Sequence, residues 1–225
     1  MKKVIIFTFL LVSSLFLSSA DAQIGIRGGV NLSSLSASAT EASYSDYKQN
    51  SILGYQLGLV LPIHLSDAVA IQPEIMWVQK GGKSTYGFSN SNQLVVSQTY
   101  NYVEVPLSLK ISLGNTSGNG IGLYVLAGPY VGLAFSGNTK RDLTIAGTTT
   151  TTENTVNYSN DTKSEREKRL DFGGQLGVGV SVGSVFVDLR YSLGFNNLLD
   201  NSATTNNDSP FLRTRGLGLT LGYIF

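Results

Sequence analysis

Apolar residues alternate with small or polar ones in eight stretches of this chain, most sharply at its end. From Leu217 to Phe225 the odd positions are Leu217, Leu219, Leu221, Tyr223 and Phe225, and the even ones are Gly218, Thr220, Gly222 and Ile224. A period of two puts these sets on opposite faces of a strand. The same pattern predicts strands over 24–31, 52–61, 68–79, 100–113, 121–135, 171–182, 185–195 and 213–225. In each, one face is a row of Leu, Val, Ile or aromatic residues. The other carries Gly, Ser, Gln, Asn and every charged residue of the strand interiors except Arg215.

The connections alternate as well. Residues 62–67, 114–120 and 183–184 are short, whereas 32–51, 80–99, 136–170 and 196–212 are long. Short and long connections segregated to opposite ends, on an even number of strands, are the signature of an outer-membrane barrel. The expected fold is therefore all-β, an eight-stranded antiparallel up-and-down transmembrane β-barrel with its apolar rows facing lipid. The long connections are rich in Ser, Thr, Asn, Asp and Lys, and read as polar extracellular loops. The run Thr148–Thr152 has no apolar stripe to bury, so it is expected to be an exposed loop, with Lys140, Arg141, Lys163 and Arg166 open to trypsin.

Composition agrees with export and with a membrane strand protein. Lys2 and Lys3 precede the apolar run Val4–Leu17, and Ala20, Asp21 and Ala22 form a small-x-small cleavage site. Residues 1–22 read as a cleaved signal peptide and 23–225 as the barrel domain. The chain has no Cys, which excludes disulfides and thiolate metal sites. Charged residues make up 14% of it, against roughly 25% in soluble proteins. No mature apolar run is long enough for a spanning helix. A net charge of +1 gives no footprint for nucleic acid.

The inner faces hold the only chemistry of note. Arg27, Glu74, Glu104, Lys110, Asp188 and Arg190 all fall there. An eight-stranded barrel is just wide enough for side chains to fill it, and buried charges persist only when paired. These six are expected to form a lumen charge network, with Arg190 reaching across to Glu74 or Glu104 and Asp188 steadying its guanidinium. On the outer faces, Tyr55, Trp77, Phe135 and Phe195 predict an aromatic belt at the loop end, and Tyr223 and Phe225 one at the turn end. Leu219, Leu221, Tyr223 and Phe225 are expected to act as the closing-strand assembly signal. Pro73, Pro106 and Pro129 lack ladder donors, and predict bulges or a seam of weak pairing. Arg215 falls on the outer phase near the loop end, where a headgroup could accept it.

Catalysis and cofactors find no support. His64 is the single histidine and sits in a short turn, away from any triad geometry. Asp142, Glu153, Asp161, Glu165 and Glu167 lack Ca-loop spacing, and Gly173-Gly174 precedes no helix that could cradle phosphate. No enzyme activity, cofactor or metal is expected.

Several segments together resemble the PorT-like outer-membrane β-barrel family. They are Ile71 to Trp77 (IQPEIMW) with Lys80-Gly81-Gly82, Tyr102 to Lys110 (YVEVPLSLK), Leu126 to Tyr130 (LAGPY), Asp171 to Gly174 (DFGG) and Asp188 to Gly194 (DLRYSLG). The resemblance spans the mature chain, and the order of the motifs carries it. It implies an integral barrel of the cell outer membrane, with outer-membrane lipid, lipopolysaccharide and the barrel-assembly machinery as partners. The expected role is a surface or envelope structural or interaction protein. The alternatives are an accessory component of a protein-secretion apparatus, which adds secretion components as partners, and a carrier of small apolar ligands.

Overall fold

A computed structural model of the chain describes residues 23–37, 46–89, 92–113, 120–156, 168–198 and 211–225. The expected signal segment 1–22 lies outside the described residues, as do Lys163 and Arg166. Among the described residues the elements are all strands: β1 (Gly25–Ala37), β2 (Asp46–Asn50), β3 (Ile52–Val60), β4 (Ile63–His64), β5 (Val69–Ser89), β6 (Asn92–Leu113), β7 (Ile121–Ile145), β8 (Thr148–Thr155), β9 (Leu170–Val182), β10 (Val185–Gly194) and β11 (Leu212–Ile224).

Eight of them close a ring in the order β1, β3, β5, β6, β7, β9, β10, β11, and every neighbouring pair is antiparallel. The first and last strands seal it, from Gly25 opposite Ile224 to Ala37 opposite Leu212. The usual burial order is inverted. Leu57 is 58% exposed and Leu221 58%, while Arg27, Glu74 and Asp188 are 1–2% exposed. Apolar rows cover the outside of the ring, while its charged side chains lie inside among a few buried apolar ones, an arrangement suited to lipid around the barrel.

The long connections differ from expectation. Much of 80–99 and 136–156 is strand rather than loop. β5 and β6 continue as a paired hairpin past Val78 and Tyr102, and β7 runs on to Ile145. Thr148–Thr152, expected as a loop, belongs to β8, which pairs along its full length with β7. β2 adds to the far side of β5. The result is a sheet of β2, β5, β6, β7 and β8 that projects from the long-loop end of the ring.

β8 needs no apolar stripe of its own, because cross-strand hydroxyl and aromatic pairs support such a sheet. Thr144 and Thr149 share a hydroxyl bond of 2.9 Å, Thr151 donates to Asp142 at 2.6 Å, and the Tyr47 and Tyr86 rings lie 5.2 Å apart. The hairpin turns at Ala146 (φ 48°) and Gly147 (φ 81°). Two left-handed residues make the type I′ geometry that matches strand twist. Lys140 and Arg141, expected as open trypsin sites, are flanked by paired strands on both sides.

The prolines produce a seam and no bulge. Pro73 stays in register opposite Leu107, and Pro106 opposite Tyr130. Pairing lapses beside them, at Glu74–Ile75 on β5 and at Gly128–Pro129 on β7, then resumes in the same register. The bulge on β7 lies at Phe135, between the pairs Asn101–Ser136 and Tyr102–Ala134.

Candidate functional site

The interior of the barrel is layered. At the short-turn end an open basin of about 940 Å3 is lined by His64, Asp67, Lys110, Ser112, Ser184 and the C-terminal Phe225, among others. Its floor is apolar, built from Val60, Tyr124, Leu126 and Phe186 with Ile224 packed against them. Gly179 and Gly222 make this floor possible, since a Cβ at either would run into the Tyr124 or Phe186 ring.

Directly inside the floor lies a closed ring of four charges. Arg27 Nη1 donates to Glu74 Oε2 at 3.0 Å and Arg27 Nη2 to Asp188 Oδ1 at 2.9 Å. Arg190 Nη1 donates to Glu74 Oε1 at 2.8 Å, while its Nε and Nη2 grip both oxygens of Asp188 at 3.0 and 3.1 Å. Each arginine therefore touches both carboxylates. Thr220 donates to Asp188 at 2.8 Å, Gln72 to Glu74 at 2.6 Å and Tyr124 to Asp188 at 3.2 Å. The bidentate fork of arginine suits this work, because one guanidinium can satisfy two carboxylates at once.

A polar cavity of about 30 Å3 separates this ring from a second cluster. That space has room for on the order of one or two waters. Above it, Lys80 Nζ meets Glu104 at 2.5 Å and Asp171 at 3.3 Å. Its ammonium also sits 4.3 Å from the centre of the Tyr130 ring. Thr214 donates to Asp171 at 2.8 Å. Leu35, Tyr100, Tyr102, Ala134, Leu198 and Leu212 close the long-loop end.

Of the six charges expected in one network, the structure brings Arg27, Glu74, Asp188 and Arg190 together. Glu104 faces the separate Lys80 cluster. Lys110 is a correction: it was expected to pair across strands, but among the described residues no carboxylate pairs with it. It lies beyond the apolar floor, with its ammonium 4.1 Å from the Tyr124 ring centre, and lines the open basin. Lys80 and Asp171 were missed. Lys80 continues the inner phase of Gln72, Glu74, Met76 and Val78, but it lay beyond the expected end of its strand. Asp171 was placed on an inner face without being counted among the charges.

The outer wall carries the other singled-out residues. Tyr55, Trp77, Phe135 and Phe195 all project outward, as do Leu219 and Leu221. Tyr223 and Phe225 meet edge to face at 5.2 Å beside the short turns.

Comparison with known proteins matches residues 17–200 to the model of the outer membrane protein beta-barrel domain. Similar solved structures include OprG from Pseudomonas aeruginosa, with 11% identity, 92% of this chain and 97% of that chain covered, and a TM-score of 0.49. Ail of Yersinia pestis has 14% identity, coverage of 91% and 99%, and a TM-score of 0.41. Neisserial surface protein A has 11% identity, coverage of 90% and 97%, and a TM-score of 0.41. No characterised protein matches the chain in sequence.

Proposed function

Because the chain belongs to the outer membrane protein beta-barrel domain family, and so lies in the cell outer membrane, we propose that it is a non-conducting surface protein whose projecting sheet is its working part. One observation carries this reading. The lumen is filled by two paired charge clusters between an apolar floor and an apolar cap, so the barrel offers an anchor and no path. Most polar groups of the two clusters are buried and bonded to one another, which supports a structural role for them. A carrier of small apolar ligands would need a roomy apolar cavity, whereas the interior space between the clusters is about 30 Å3 and is lined mainly by polar and charged residues.

The projecting sheet faces the cell exterior in this reading, and the short turns and the basin face the periplasm. An accessory role in secretion is the alternative implied by the PorT-like resemblance, with partners docking at the basin.

Cross-linking on intact cells separates the two. The hairpin tips 83–97 and 140–153 are each replaced by a two-residue Asn-Gly turn between paired residues, leaving the ring intact. The variant is expected to keep the faster gel migration of an unheated barrel and to lose its cross-linked partners. Retention of all partners by a folded variant would contradict the reading.

A further inference from the structure

The apolar rows on the outer wall of β1 and β11 stop at the same height. On β1 the outward series Ile24, Ile26, Gly28, Val30, Leu32 gives way to Ser34 and Ser36. On β11 the outward series Phe225, Tyr223, Leu221, Leu219, Leu217 gives way to Arg215 and Arg213. The register sets Ser34 directly opposite Arg215 and Ser36 opposite Arg213. Two guanidiniums and two hydroxyls therefore share one small patch on a wall that is otherwise apolar. Among the described residues neither arginine has a carboxylate partner. Arg213 lies 5.5 Å from the centre of the Phe211 ring, and Leu193 stands opposite Arg215 on its other side. Phe195, Phe211 and Leu217 are exposed around the patch.

This combination selects its ligand. A guanidinium facing hydrocarbon is costly at mid-membrane and nearly free at the interface, so the patch marks the headgroup level. Arginine pairs recognise phosphate by charge-assisted, bidentate bonds, and serine hydroxyls add neutral donors. Residues two apart on one strand face lie about 7 Å apart, within reach of one phosphate from both sides. The aromatic and aliphatic neighbours run straight on into the apolar wall, which suits a ligand whose phosphate is joined to acyl chains. We propose that Arg213, Arg215, Ser34 and Ser36 bind the phosphate of a phosphorylated glycolipid in the outer leaflet. The choice of leaflet rests on the orientation given under the proposed function.

The test uses the full mature protein in detergent, with native mass spectrometry of bound lipopolysaccharide, its chemically dephosphorylated form and phosphatidylglycerol. Wild type is expected to retain the phosphorylated glycolipid in preference to both others. The Arg213→Gln/Arg215→Gln variant should bind it at least about tenfold more weakly, with no change toward the dephosphorylated form. Arg213→Lys/Arg215→Lys should restore part of the binding, and heat-dependent gel migration should stay normal in every variant. Equal retention by the glutamine variant, or binding that ignores the phosphate, would overturn the site. Equal binding of phosphatidylglycerol would overturn the glycolipid assignment. Orientation is read separately, by labelling Ala146→Cys on intact cells with a membrane-impermeant maleimide. Absence of labelling would overturn the orientation whatever the lipid result in detergent.

Discussion

Arg190→Ala is expected to destabilise the barrel by about 3–5 kcal/mol, the usual consequence of removing one partner from a buried ion cluster. The magnitude follows from the closed ring. Arg190 donates to Glu74 at 2.8 Å and to both oxygens of Asp188, and all three side chains are nearly inaccessible to solvent. Without it, Arg27 alone faces two buried carboxylates. Water cannot easily make up the difference, since the apolar floor and cap exclude it on both sides. The measurement is the temperature at which the fast-migrating, unheated form converts to the slow one on a detergent gel, together with urea unfolding in lipid. Combining Arg190→Met with Glu74→Gln removes one charge of each sign and should recover part of the loss. A variant as heat-resistant as wild type would mean that these charges are hydrated and line a channel.

The second large effect is expected outside the ring. Leu219 projects outward at mid-strand, between Val30 of β1 and Leu189 of β10. Leu219→Arg places a charge against hydrocarbon and should cost about 2–4 kcal/mol, seen as a drop in the folded protein recovered from the outer membrane. The chain carries its own control. Arg215 has the same outward phase on the same strand, but lies nearer the long-loop end, where the apolar row has stopped. The contrast is one of depth, since side-chain type and strand are the same. Normal accumulation of Leu219→Arg would show that this face of β11 does not meet lipid.

The barrel itself was legible because its signal is local. Leu53, Tyr55, Leu57 and Leu59 against Gly54, Gln56 and Gly58 need only the pleat to tell outside from inside. The strand phases, the eight-strand count and the closing role of 213–225 all come from that alternation. The projecting sheet was not legible by the same rule. β8 is polar on both faces, so Thr148–Thr155 shows no hydrophobic period, and its order comes from the ladder with β7 and the Ala146-Gly147 turn. The error at Lys80 has the same origin, since ending a strand where its apolar row ends hides an inner-face residue further along. Lys110 failed differently. Its phase gave the correct side of the sheet, but the depth of the Tyr124 and Phe186 floor depends on Gly179 and Gly222 of other strands. No single-strand pattern contains that information.

The central claim is that the charge clusters plug the barrel. It is tested most directly by the conductance of the purified mature protein reconstituted in a planar lipid bilayer. The account predicts no steady current in wild type across a range of voltages and salt. Stable, porin-sized current steps from the wild-type protein would contradict it.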